Sequence, residues 1–155
     1  MSASIDPVRV AATGSFTLPV APDVAFPMFD PVREAEWAEG WSISAVHPNP
    51  FRLEPDAVFE VPGPNGITEV WTVVSCDFAD CRVEYLAVAE RDLIRRVTVQ
   101  CTAEGGATRV TVRYFVTAWS PAGIARAADY NQAFIEAWRG PVLAALIRNG
   151  VAPPA

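Results

Sequence analysis

The chain has no lysine, a single histidine and an odd number of cysteines, and each scarcity excludes something. All twelve basic residues are arginines, set against eighteen acidic ones for a net charge of −6. An acidic chain without lysine makes a poor partner for nucleic acid or an anionic membrane surface, so neither is expected. His47 is the one imidazole, and no cluster of histidine, cysteine and carboxylate surrounds it in sequence. A zinc site is therefore not expected, nor any other metal or cofactor. Cys76, Cys81 and Cys101 lack metal-ligand spacing and read as small buried hydrophobes. No apolar run approaches the ~18–20 residues of a membrane span. Met1 to Val10 has neither the apolar core nor the basic lead of a signal peptide, which makes the cytoplasm the default location. Also missing are a glycine-rich phosphate loop, a G-x-S-x-G elbow and a paired-carboxylate signature.

What is present points to a packed interior. The 155 residues fit one domain, taken as 1–155, and a chain of this size buries roughly 68–70% of its unfolded surface. Apolar residues make up 51%, with five Trp, eight Phe and three Tyr. The arginine and alanine bias fits a GC-rich bacterial genome. No repeat appears, and only the Pro/Ala tail after Gly150 is of low complexity.

Ser120 to Gly150 reads as one long amphipathic helix. Ser120-Pro121 supplies an N-cap and a proline at the first helical position. Asn149-Gly150 supplies a stop, because glycine takes the left-handed conformation readily. Ile124, Ala127, Asn131, Phe134, Ile135, Trp138, Val142 and Leu146 recur at helical spacing between them. Gly140-Pro141 predicts a kink near Ala137–Pro141 rather than two separate helices. Ahead of this helix the chain reads as strands: Arg9–Leu18, Ser42–His47, Ala57–Val61, Ile67–Cys76, Cys81–Glu90 and a final hairpin about Gly105-Gly106. In that hairpin Val97, Val99 and Cys101 alternate with Arg96, Thr98 and Gln100, which predicts one buried and one wet face. Pro22–Phe29 and Pro31–Ala38 read as two short helices after the first strand, the second capped by Asp30. The expected class is α+β: a strongly curved antiparallel sheet of about seven strands wrapped round one long C-terminal helix.

Several segments are similar to a known family. Ala21-Pro22-Asp23-Val24-Ala25-Phe26 resembles the start of the first helix in the SRPBCC superfamily. Glu34-Ala35-Glu36-Trp37-Ala38-Glu39-Gly40-Trp41 resembles the E-x-x-W-x-x-G-W segment of its small bacterial members. Val70-Trp71-Thr72-Val73-Val74 and Tyr114-Phe115-Val116-Thr117-Ala118 look like strand segments there. The likeness runs from about Val8 to Asn149. It implies the helix-grip fold shared by START lipid-binding domains, the birch-pollen allergen and polyketide cyclase/dehydrase proteins, and with it a hydrophobic cavity. It does not imply a reaction, since fold does not fix function.

The candidate residues carry two readings each. Trp37 and Trp41 either offer stacking faces to a flat ligand or plug one end of the core. Tyr85 and Tyr114 share strand faces with Val83 and Val112, so their hydroxyls meet either a ligand or a protein acceptor. Asn131, on the apolar stripe, needs a partner in ligand, water or backbone. His47 is an acid–base candidate or an exposed loop histidine. Glu69 is a general base if inward and a solvated charge if outward, and apolar residues on both faces of its strand leave the parity open. Arg95 and Arg96 must point to opposite faces, so one of them could enter the cavity and hold a carboxylate or phenolate.

The leading expectation is binding of a small hydrophobic or aromatic ligand, lipid- or polyketide-like, between sheet and helix. Trp71, Tyr85, Tyr114, Phe134 and Trp138 are the expected lining. The alternative is a polyketide cyclase or dehydratase using the same cavity, with His47, Tyr85 and Tyr114 as candidate catalytic groups. A third is an interaction module built on an exposed apolar patch. A homodimer is left open. A cavity of roughly 300 Å³ or more would support both small-molecule readings.

Overall fold

The computed structural model describes residues 4–154; the outermost residues of the expected 1–155 domain lie outside them. Seven strands form one antiparallel sheet in the order β1-β7-β6-β5-β4-β3-β2. They are β1 Val8–Leu18, β2 Ser44–His47, β3 Val58–Pro62, β4 Thr68–Asp77, β5 Arg82–Ala89, β6 Leu93–Glu104 and β7 Ala107–Ala118. Alternation decides which face is buried. Val110, Val112, Tyr114, Val116 and Ala118 of β7 point inward, while Arg109, Arg113 and Phe115 are exposed. The hairpin between β6 and β7 turns at Gly105, whose φ of +64° a side chain would resist. Register then aligns Trp71, Ala87 and Arg95 across β4, β5 and β6.

Two short helical pieces follow β1, as the prolines suggest. Helix α1, Pro22–Ala25, runs into a 3-10 turn at Phe26–Phe29. The second piece is only the 3-10 turn Arg33–Glu36, shorter than expected. Asp30 Oδ1 accepts from the Val32 amide at 2.9 Å just ahead of it.

The C-terminal helical layer is long but segmented. It comprises α2 Pro121–Ala127, α3 Gln132–Glu136 and α4 Arg139–Arg148. The ends behave as read: the Gly123 amide donates to Ser120 Oγ at 2.9 Å, and Gly150 takes φ +73°. The interior corrects the sequence reading twice. Asn131 is not a stripe residue inside a helix. It caps α3, accepting from the Phe134 amide at 2.9 Å, and is exposed. Asparagine competes for backbone groups, so it starts helices more readily than it continues them. The expected kink near Ala137–Pro141 is a boundary between two helices, with Pro141 in the first turn of α4, where its missing N–H costs nothing.

Two glycines set how closely this layer approaches the sheet. A Cβ on Gly14 of β1 would sit 2.7 Å from the Ile135 side chain of α3. A Cβ on Gly123 would sit 2.2 Å from the Asp92 carbonyl oxygen, where α2 abuts the β5–β6 turn. Among the described residues no helix is long and apolar enough to cross a membrane. Because the obstacle at Gly123 is backbone, Gly123→Ala should lower unfolding stability by about 1–3 kcal/mol, the usual cost of overpacking. Urea denaturation measures this, and an unchanged midpoint would contradict the close approach.

Candidate functional site

Between the concave face and the helical layer lies a chamber of about 140 Å³. Trp37, Trp41, Trp71, Tyr85, Phe134 and Trp138 make most of its wall, together with Val97, Val99 and Tyr114. It adjoins a more open cleft of about 240 Å³, and Trp41, Trp71, Tyr114 and Phe134 border both spaces. The chamber is smaller than the expected 300 Å³ because aromatic rings fill the interior. Trp37 lies 5.3 Å from Trp138, Trp41 meets Trp71 edge-on at 5.5 Å, and Phe59 stacks on Trp71 at 5.7 Å. A dry space near 150 Å³ still accepts one benzene ring.

The segment after β1 is stapled by its own tryptophans. The Trp37 indole donates to the Met28 carbonyl at 2.7 Å, and the Trp41 indole to the Pro31 carbonyl at 2.8 Å. Both polar edges are thereby satisfied, leaving the ring faces to the chamber. Glu34 sits in the same turn and lines the chamber. Burial, and then the negative charge of Asp30, pushes its carboxyl well above the usual carboxylate range. The Tyr85 hydroxyl is spent within the protein, donating to the Phe29 carbonyl at 2.9 Å. Tyr114 differs. Its ring stacks on Tyr130 at 5.1 Å, and its side chain borders both the chamber and the cleft. Burial raises this phenol well above its ordinary value; Arg95 opposes the rise and Glu34 adds to it.

At the cleft stands a buried charge cluster. Glu69 of β4 is 2% exposed and Arg95 of β6 is 3% exposed. They pair across β5, where Ala87 and Ala89 are small enough to let the side chains meet. Arg126 of α2 pairs with the other oxygen of Glu69. The Arg95 guanidinium lies 5.2 Å from the Trp71 ring and 5.0 Å from the Tyr130 ring, and it also donates to the Tyr130 hydroxyl. Tyr130 occupies the break between α2 and α3, which turns it inward.

No protein-family model and no curated protein matches the chain in sequence. Solved structures do match in shape. The Mll3558 protein from Rhizobium loti superposes with a TM-score of 0.68 at 16% identity, covering 91% of this chain and 99% of that one. Norcoclaurine synthase from Thalictrum flavum, a point mutant solved with a transition-state analogue, gives 0.67 at 8% identity over 96% and 99%. Ara h 8.0201 gives 0.61 at 17% identity over 88% and 99%. The chain has the helix-grip fold. Norcoclaurine synthase and Ara h 8.0201 are members of the superfamily resembled in sequence, and at these identities the likeness is one of fold.

Within this helix-grip frame the sequence candidates divide. Trp37, Trp41, Trp71, Tyr85, Tyr114, Phe134 and Trp138 converge on the chamber. Asn131 does not; its side chain is engaged by backbone on the outside. His47 is exposed at the end of edge strand β2, away from the chamber, so the acid–base candidacy fails on position. Glu69 turns inward, as does Arg95 rather than Arg96. Three residues of the site were not singled out from sequence: Glu34, Tyr130 and Arg126. Glu34 opens the E-x-x-W-x-x-G-W segment, and that position was its signal.

A carboxyl with a raised value in the folded state binds its proton more tightly there than in the unfolded chain. Glu34 therefore costs nothing below the unfolded carboxylate range and destabilises increasingly as pH climbs through its folded value. Glu34→Gln should leave Tm unchanged near pH 4 and raise it by a few degrees near pH 8. A fall in Tm at pH 8 would show that the carboxylate is stabilised in place.

Proposed function

We propose that this helix-grip protein binds a small aromatic molecule carrying a hydrogen-bonding oxygen. One observation carries the reading: a ring-sized chamber walled by aromatics is lined by the Trp71 indole, whose buried N–H has no hydrogen-bond partner among the described residues, and by the Glu34 carboxyl and the Tyr114 side chain. Buried polar groups are ordinarily paired, and a ligand oxygen would supply the partner. The volume favours a single ring over the lipid- or polyketide-sized ligand expected from sequence. The three free thiols support a reducing setting, which fits the cytoplasm.

Glu34 also favours a second reading, an enzyme of the cyclase or dehydratase kind. A carboxyl that burial pushes toward its neutral form inside an oily chamber can exchange a proton with a bound ligand. The Tyr114 phenol beside it would hold the developing oxyanion. On this reading Glu34 and Tyr114 replace His47 and Tyr85 as the acting groups.

Phenol titration, followed by the fluorescence of the four chamber tryptophans, tests the binding reading. Binding should saturate in the wild type, weaken roughly 2–10-fold in Tyr114→Phe from the loss of one hydrogen bond, and vanish in Val97→Phe, whose added ring fills the space. Equal phenol response in Val97→Phe would place the ligand elsewhere.

A further inference from the structure

The charge cluster beside the chamber is unbalanced. Two arginines, Arg95 and Arg126, share one buried carboxylate, Glu69. Had the cluster only to tie β6 to β4, one arginine would neutralise Glu69. The second leaves a net positive charge in a place where burying charge is costly unless it is matched. Glu39 also lines the cleft, but it is exposed and makes no ion pair with either arginine.

Position gives the surplus charge a use. Arg126 is a quarter exposed, and it lines the same 240 Å³ cleft as Arg95, Tyr114 and Tyr130. Glu69 is its sole acidic partner among the described residues. Arg95 is held between the Trp71 and Tyr130 rings, its two terminal nitrogens donating to Tyr130 and Glu69 while its buried Nε has no hydrogen-bond partner among the described residues. Arg126, reaching down from α2, is the freer of the two. Its planar fork suits a planar carboxylate better than a point charge would. The cleft and the chamber share Trp41, Trp71, Tyr114 and Phe134 as a common wall, so one molecule can occupy both.

We infer that the cleft is an anion subsite in which Arg126, backed by Arg95, receives a carboxylate, so that the ligand class is a single-ring aromatic acid. The inference rests on the binding reading above and narrows it. The ring sits in the chamber among the tryptophans, a ring oxygen faces Glu34 and Tyr114, and the carboxylate faces the arginines. This orientation places the negative end away from Glu34, whose own environment disfavours a second negative charge.

Three probes separate the outcomes: phenol, 4-hydroxybenzyl alcohol and 4-hydroxybenzoate, titrated by tryptophan fluorescence at low and high salt. The acid should bind about tenfold or more tightly than the alcohol, the worth of one charge-assisted hydrogen bond. Its advantage should shrink as salt rises. Arg126→Gln should bring the acid to within about twofold of the alcohol; the variant leaves Glu69 and Arg95 as a neutral pair. Equal affinity for acid and alcohol in the wild type, with phenol still binding, would overturn the anion subsite and leave the binding reading standing. An acid preference that survives Arg126→Gln intact would also overturn it. No binding of any probe would remove both.

Discussion

The Glu69 carboxylate, shared between Arg95 and Arg126, ties three parts of the molecule together. It belongs to β4, Arg95 to β6 and Arg126 to α2, so one buried oxygen pair links two non-adjacent strands to the layer above them. The link needs space over β5, which Ala87 and Ala89 provide. It also needs the helical layer to break after α2, so that Tyr130 turns in and covers Arg95. A buried ion pair is a weak source of net stability, although removing one member is costly. Its consequence here is spatial: long charged side chains stand upright where packed aliphatic ones would let sheet and helices close together.

The chamber beside that cluster follows from the same spacing. Aromatic side chains are rigid and tile imperfectly, and the rings between Trp37 and Trp71 leave a ring-sized gap. Fixing Trp37 and Trp41 through their indole donors keeps the gap from being filled by rotation. Polarity then runs along the space. A carboxyl pushed toward its neutral form lies within it, and a surplus of positive charge lies at the adjoining cleft. A wall of rings with two polar ends selects for shape and for the placement of oxygen atoms.

Much of the fold was legible in sequence because its signals are local. Alternation in β6 and β7, glycine at the turn and Ser120-Pro121 at the helix start each act within a few residues. Chamber-lining aromatics were legible for the same reason. What escaped depended on competition or on distance. The break at Asn131 was hidden by a helical periodicity that continues through it, while the capping preference of asparagine decided the backbone. Glu69 was ambiguous because Val70 and Val74 on the opposite face of β4 are apolar yet 45% and 46% exposed, which blurs the parity. Arg95 could have been chosen over Arg96, since it shares odd parity with the buried Val97 and Val99. The partnership of Glu69 with Arg126 spans two layers, and the chamber's size depends on how whole rings pack; neither is written in spacing.

That a hollow persists beside the shared carboxylate is the central claim, and xenon tests it directly. A crystal pressurised with xenon should show one internal site bounded by Trp41, Trp71, Tyr114 and Phe134. A map with no xenon there, and those four side chains in mutual van der Waals contact, would contradict the claim.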